Sequence, residues 1–443
     1  MEDNSSWKKF LDQRVTRRRM LQGSALGAAG LAAAAVFGCG DDEETTGGTP
    51  TGSPRARGGS YPDQGISDTE VKIGGTWPLT GPILPSTAIA DAPKAYFEFL
   101  NNTQGGVDGR KINYIFYDDT YNPASTREQT IRLLNQDRVF ALCAGLGTAQ
   151  QNAVIQLAEQ GKVPHLFIST TSSIFLDPDK HPWTTTSLSL APYYGYGAVF
   201  GDYISRELRS AKVAILFQND DLGKDYVAGL KSTLKSPASL VSEQSYEVTD
   251  QDLSSQVLAM RNSGADTLVL ASVFRPNVSA LRAAAGLNWR PQLFLSHAVV
   301  SLAGIISANL QGLYEGAIGF FAAKDPLDPT FANDPAIRDA DRVVSQFAPN
   351  INKQDASWAT GQIWAHAFVD CLKRMKGNSR QDLMDAVRSL KDFEAGGLLL
   401  PGVVANGSKT TNAMMTKGKL GRFRTNHFEV FGQVVDAPLP PKA

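Results

Sequence analysis

Lys212–Lys231 reads KVAILFQNDDLGKDYVAGLK, and its three parts decide the fold. Lys212–Gln218 is a short apolar run, the mark of a buried strand. Asp220 and Asp221 follow at the strand end, where adjacent acids serve as turn formers or helix caps. From Gly223 an amphipathic segment reaches Leu234. A strand leading through a polar loop into a helix is the repeating piece of a parallel α/β sheet.

The same piece recurs along the chain. Apolar runs at Val71–Trp77, Ile112–Asp118, Phe140–Gly145, His165–Ser169, Asp266–Ser272, Gln292–Ser296 and Glu315–Phe321 read as strands. Amphipathic segments lie between them at Thr87–Asn101, Ser125–Gln136, Gln150–Gln160, Tyr194–Leu208 and Ser254–Ser263. Buried runs alternating with helices predict parallel sheets covered on both faces. The alternation occurs once before about Leu190 and once after it, and the body is too long for one ordinary core. Two Rossmann-like α/β lobes with a crevice between them are expected. The chain should pass between lobes near Leu188–Pro192, Phe320–Lys324 and Glu394–Leu400. Lobe one then holds 68–190 and 322–396, and lobe two holds 191–321 and 397–440. Cys143 and Cys371 should both lie in lobe one, as two separate buried thiols.

The amino terminus reads differently. The apolar stretch Ala25–Phe37 makes a helix of only about 20 Å, short of the ~30 Å core of a bilayer. Lys8, Lys9, Arg14 and Arg17–Arg19 precede it, which is the order of a signal peptide. Thr16–Gln22 is similar to a twin-arginine export signal. Val36–Cys39 is similar to a lipobox, so 1–39 is read as a signal peptide with lipobox, cut before Cys39, which becomes the acylated mature N-terminus. Residues 40–67, rich in Gly, Thr, Pro and charge, should form a flexible tether.

Composition and motifs exclude much chemistry. The formal net charge of −1 gives no electrostatic case for nucleic acid. There is no GxxxxGK[ST] loop, GxGxxG, HExxH, CxxC or GxSxG. The five histidines, His165, His181, His297, His366 and His427, lack metal-ligand spacing. Asp118-Asp119 and Asp220-Asp221 stand at strand ends and read as turns or caps. No catalytic residue, metal or cofactor is expected.

Val71–Pro82 (VKIGGTWPLTGP), Asn101–Asp119 (NNTQGGVDGRKINYIFYDD), Lys212–Lys231, Asp250–Ser272 and Asp382–Gly396 together resemble the type I periplasmic binding proteins. The resemblance is to the leucine/isoleucine/valine-binding branch that feeds ABC transporters. It implies a ligand carboxylate held in lobe one by amides and hydroxyls at two helix starts. Gly147 and Thr148 match the first, and Thr171 and Ser173 match the second. The lobe-two half departs from the family pattern: Leu222 stands for an aromatic, His297 for the acid that holds an ammonium, and Ser86 for an aromatic of lobe one. Phe274 keeps one aromatic wall, and Asp220 or Asp221 can supply the missing charge; the expected lobe-two set is Asp221, Phe274 and His297.

The resemblance implies a monomeric extracytoplasmic receptor that passes an amino-acid-like, carboxylate or amide solute to ABC permease subunits. It would meet the cell envelope through its lipid anchor only. A ligand-sensing receptor on the same fold, or an exported α/β enzyme, is the alternative.

Overall fold

The computed structural model describes residues 61–81 and 87–442. Cys39, the export signal, the lipobox, residues 40–60 of the tether and Ser86 lie outside the described residues.

Strands β1 (Glu70–Trp77), β2 (Lys111–Asp118), β3 (Ala141–Cys143), β4 (His165–Ile168) and β5 (Thr184–Thr186) form a parallel sheet in the order β2-β1-β3-β4-β5. Helices α1 (Ala88–Gln104), α2 (Pro123–Asn135) and α3 (Thr148–Gln160) connect its first four strands. Local sequence sets their ends. Asn122 accepts hydrogen bonds from the amides of Ala124 and Ser125, and Pro123 takes the first helical position, where no donor is needed.

The chain then enters the second lobe. It runs α4 (Tyr193–Glu207), β6 (Lys212–Gln218), α5 (Asp221–Thr233), β7 (Ser239–Tyr246), α6 (Ser254–Asn262), β8 (Thr267–Ala271), α7 (Phe274–Gly286), β9 (Gln292–Leu295), α8 (Leu302–Ser307), α9 (Gln311–Tyr314) and β10 (Ile318–Phe321). Helices α10 (Pro335–Phe347), α11 (Ser357–Arg374) and α12 (Arg380–Arg388) follow, and β11 (Lys417–Arg424) and β12 (His427–Asp436) close the chain. The second sheet runs β12-β11-β10-β9-β8-β6-β7, antiparallel only where β11 meets β10 and β12. Its interior strand β8 is buried at every residue, which is why that segment reads as an unbroken apolar run.

Helices α10–α12 return to lobe one. Tyr96 of α1 stacks on His366 of α11 with ring centroids 4.2 Å apart, and Phe97 meets Trp364 edge-on at 5.7 Å. Arg380 reaches under the sheet and donates to the carbonyls of Phe140 at 2.8 Å and Val139 at 2.9 Å. Cys143 in β3 and Cys371 in α11 are free and buried.

Two expected boundaries move. The return to lobe two falls later than Glu394–Leu400. Leu400 N–H does bond Ala322 O at 2.8 Å beside the crossing strand, but the chain then turns back. Ala405 pairs with Phe393, Gly407 N–H bonds Leu390 O, and Asn412 O accepts from Thr186 N–H at 3.0 Å on the edge of β5. Residues 401–413 therefore cover the edge of the first sheet, and the passage lies just before β11. The tether also ends earlier than 67: Ile66 is buried, Gln64 Nε2 donates to Leu134 O, and Asp63 accepts from Arg380 N–H.

In lobe two, α4 and α5 touch backbone to backbone through glycines. A Cβ at Gly229 would stand 1.9 Å from Tyr194 O, and one at Gly197 would stand 2.2 Å from Tyr226 O. This approach brings Tyr193, Tyr196 and Tyr226 together at the crevice. Gly229→Ala should force the helices apart and cost about 2–3 kcal/mol in urea denaturation, in the range of other overpacking changes. Gly286→Ala, where nothing lies within 4 Å of the new atom, should be neutral; equal losses at both positions would contradict this packing.

Candidate functional site

In parallel α/β sheets, ligands sit beyond the carboxyl ends of the strands. Both sheets turn those ends toward the passage between lobes. In lobe one, the loops after β3 and β4 run side by side, linked at Leu146 and Ser169. Gly147 caps α3 at φ +103, where the Gln150 side chain leaves no room for a Cβ. The residues Ser169–Ser173 bring five hydroxyls to the same place.

Most of those hydroxyls already have partners. Thr148 Oγ1 and Thr170 Oγ1 lie 2.9 Å apart, and both bond the Tyr193 hydroxyl. Thr171 Oγ1 donates to Ala191 O at 2.7 Å, tying the loop to the first crossing strand. Ser173 N–H and Ser172 Oγ donate to Asp225 Oδ2 at 2.7 and 2.9 Å, and Ser173 Oγ donates to Asp225 Oδ1 at 2.6 Å. Asp225 belongs to α5, so these three bonds join lobe two to lobe one. Burial raises its pKa, the three donors oppose that, and Asp221 nearby adds to it.

The lobe-two wall is aromatic. His297 stacks on Tyr193 with centroids 4.9 Å apart and planes 12° from parallel, and Tyr226 stacks on Tyr193 at 5.8 Å. The Tyr226 hydroxyl accepts the His297 backbone N–H at 3.4 Å and lies 3.2 Å from Nδ1. The hydroxyl has its own proton and a second lone pair left for Nδ1, so this contact serves either tautomer of a neutral ring. Burial lowers the His297 pKa to about 4, so the ring is neutral at physiological pH.

Beside this wall is a cavity of ≈ 210 Å³, lined by His297, Tyr196 and Phe320 of lobe two, by Lys324 of the second crossing strand, and by Ser357 and Thr360 of α11. Two larger hollows, of ≈ 380 and ≈ 910 Å³, lie elsewhere. Gln292 and Trp289 line the first, and Arg380 and Val163 the second, at the amino ends of the strands. Strand polarity therefore selects the smaller cavity. Lys324 Nζ is bound to Asp334 Oδ2 at 2.6 Å, so this ammonium is already neutralised. Burial raises the pKa of Asp325, another lining residue, to about 6.

The expected site residues divide into groups. Gly147, Thr148, Thr171 and Ser173 come together, but the Thr148 hydroxyl pairs with Thr170, that of Thr171 with the crossing strand and that of Ser173 with Asp225. His297 lines the cavity. Phe274 does not: its ring drops into the space left by Gly304 and joins the lobe-two core, so it forms no wall of the cavity. Asp221 opens α5 one residue after the cap Asp220, which accepts from Gly223 N–H at 3.3 Å. Asp118 likewise holds a loop, accepting from the amides of Leu79, Thr80 and Thr120. Asp225, Ser172, Thr170 and the three tyrosines are additions to the expected set. The sequence carried one signal for Asp225: it stands among Leu222, Tyr226, Gly229 and Leu230 on the buried stripe of α5.

The fold and the interlobe site define a two-lobed solute-binding protein. The periplasmic binding protein family matches residues 70–427, and the chain belongs to that family. It is 22% identical over 341 residues to "Leu/Ile/Val-binding protein homolog 7" of Brucella abortus (strain 2308), covering 74% of this chain and 83% of that one. Among solved structures it is similar to a fatty acid ABC transporter substrate-binding protein from Thermomonospora curvata (TM-score 0.71, 22% identity, 85% of this chain and 95% of that one). It is similar also to a branched chain amino acid ABC transporter from Thermus thermophilus with bound valine (TM-score 0.71, 17% identity, 84% and 97%). The fold is that of the type I periplasmic binding proteins. Among the described residues no helix is long and apolar enough to cross a membrane.

Neutral, half-buried His297 has a consequence for acid stability. Its folded pKa lies below the unfolded value of about 6.5, so the unfolded state binds more protons between pH 6.5 and about 4. Stability should therefore fall as pH drops through that window, His297 contributing up to about 3 kcal/mol. Urea denaturation at pH 7 and pH 4.5 should show a smaller acid loss for His297→Gln than for wild type; equal losses would contradict the burial of the ring.

Proposed function

We propose that this protein is the solute receptor of an ABC transporter, acylated at Cys39, held at the outer face of a membrane by its tether, and handing solute to permease subunits as a monomer. The observation that carries the reading is the cavity lined from both lobes and a crossing strand. A solute seated there touches every part that moves when the lobes close, so binding favours the closed state. Pockets for drug-sized molecules run to about 300–1,000 Å³, and ≈ 210 Å³ suits a solute of amino-acid size. Phe320 and Tyr196 offer apolar walls and His297 offers an uncharged hydrogen-bonding edge. With Lys324 engaged by Asp334, the cavity favours an amide or another uncharged polar end over a free carboxylate.

Calorimetric titration with amino acids, their amides and short carboxylic acids tests the receptor role. At least one solute should bind, and His297→Ala should weaken it about tenfold, the value of one hydrogen bond. No binding across the panel, or an unchanged affinity in His297→Ala, would refute the site. Fractionation tests the anchor. Cys39→Ser should leave an unprocessed precursor or a soluble protein, because more than one acyl chain is needed for stable anchoring; fractionation and migration like wild type would refute the lipoprotein reading.

A further inference from the structure

Ser172 and Ser173 present two hydroxyls and an amide within one small space, a donor set suited to a carboxylate. That space is filled from inside the molecule. Asp225 is 8% exposed, and its two oxygens take all three donors at 2.6–2.9 Å. Among the described residues its hydrogen-bond donors are hydroxyls and an amide, not cations. The neighbouring hydroxyls offer no second cradle, since Thr171 donates to Ala191 O and Thr148 pairs with Thr170.

We infer that Asp225 is a built-in carboxylate for the lobe-one serine cradle, so that closure of the lobes satisfies the cradle internally and the solute is recognised without a carboxylate in it. The specificity half of this inference rests on the proposed receptor role; the occupancy half does not. Asp225 arrives on α5, whose first turn is fixed by the Asp220 cap and whose flank is pressed on α4 through Gly229. Its position is therefore set by the fold of lobe two, and it reaches the serines only when the lobes are together. A solute carboxylate directed at Ser173 would have to displace a tethered one, whose effective concentration is high because it is part of the same chain.

Chemical rescue tests the occupancy. Asp225→Ala should lower the melting temperature, and about 0.1 M sodium formate should restore part of the loss by mass action, beyond sodium chloride at equal ionic strength. Formate should leave wild type unchanged relative to chloride, and should rescue the Asp225→Ala/Ser172→Ala/Ser173→Ala variant, which keeps only the Ser173 amide, far less than the single variant. Formate acting no better than chloride on the single variant, or equally on wild type, would overturn the inference. If Asp225→Ala does not fold in chloride, its refolding yield in formate against chloride becomes the readout, and equal yields would overturn the inference. None of this needs a solute, so it is separate from the receptor reading. For specificity, any amino acid that binds wild type should keep or gain affinity, losing no more than about twofold, when its carboxylate is changed to an amide. A tenfold or greater loss on that change, about 1.4 kcal/mol, would overturn the specificity half even where formate rescue succeeds.

Discussion

A charge on the buried face of a helix must be matched or it will not stay buried. Asp225 meets that constraint across the gap between lobes, with donors from Ser172 and Ser173. Hydrogen bonds to a charged group are worth about 1.5–3 kcal/mol each, whereas an unmatched buried carboxylate costs several kcal/mol or takes up a proton. The three bonds to Ser172 and Ser173 therefore favour the lobes being together. Tyr121 of lobe one, bonded to Gln218 of lobe two, adds a further contact at the same level.

The rest of the site follows from how lobe two builds its flank. Glycines on α4 and α5 let the two backbones meet, and this draws Tyr193 and Tyr226 into a stack with His297, with Tyr196 tilted against it. Enclosed by rings and held by the Tyr226 hydroxyl, the imidazole stays neutral. A neutral imidazole beside a neutralised Lys324 makes a cavity with polar edges but no net cation aimed into it. The crossing strands at Ala191 and Lys324 border these groups directly.

Much of the fold was legible in the sequence, for a physical reason. Strands such as β6 and β8 are buried on both faces and so appear as continuous apolar runs. The edge strands of lobe two carry no such run: β7 alternates exposed and half-buried residues, and β12 is exposed or half-buried at all but one residue. The passage into β11 was hidden because 401–413 holds to lobe one by loop contacts rather than by a strand. Two lobe-one loops were read as hydroxyl-rich, but their partners were not foreseen, since Tyr193 and Asp225 lie far away in the chain. Phe274 was misplaced because the space that takes its ring exists only where Gly304 packs against it. Asp225 was the readable exception that went unread, an acid on an otherwise apolar helix stripe.

The account depends on Asp225 holding the two lobes together through lobe-one serines. The direct measurement is the distance distribution between spin labels on Glu128 of α2 and Lys235 just past α5, recorded for wild type and for Asp225→Ala at neutral pH. The account predicts a single short distance in wild type and a shift of population to longer distances in the variant. Superimposable distributions would contradict it.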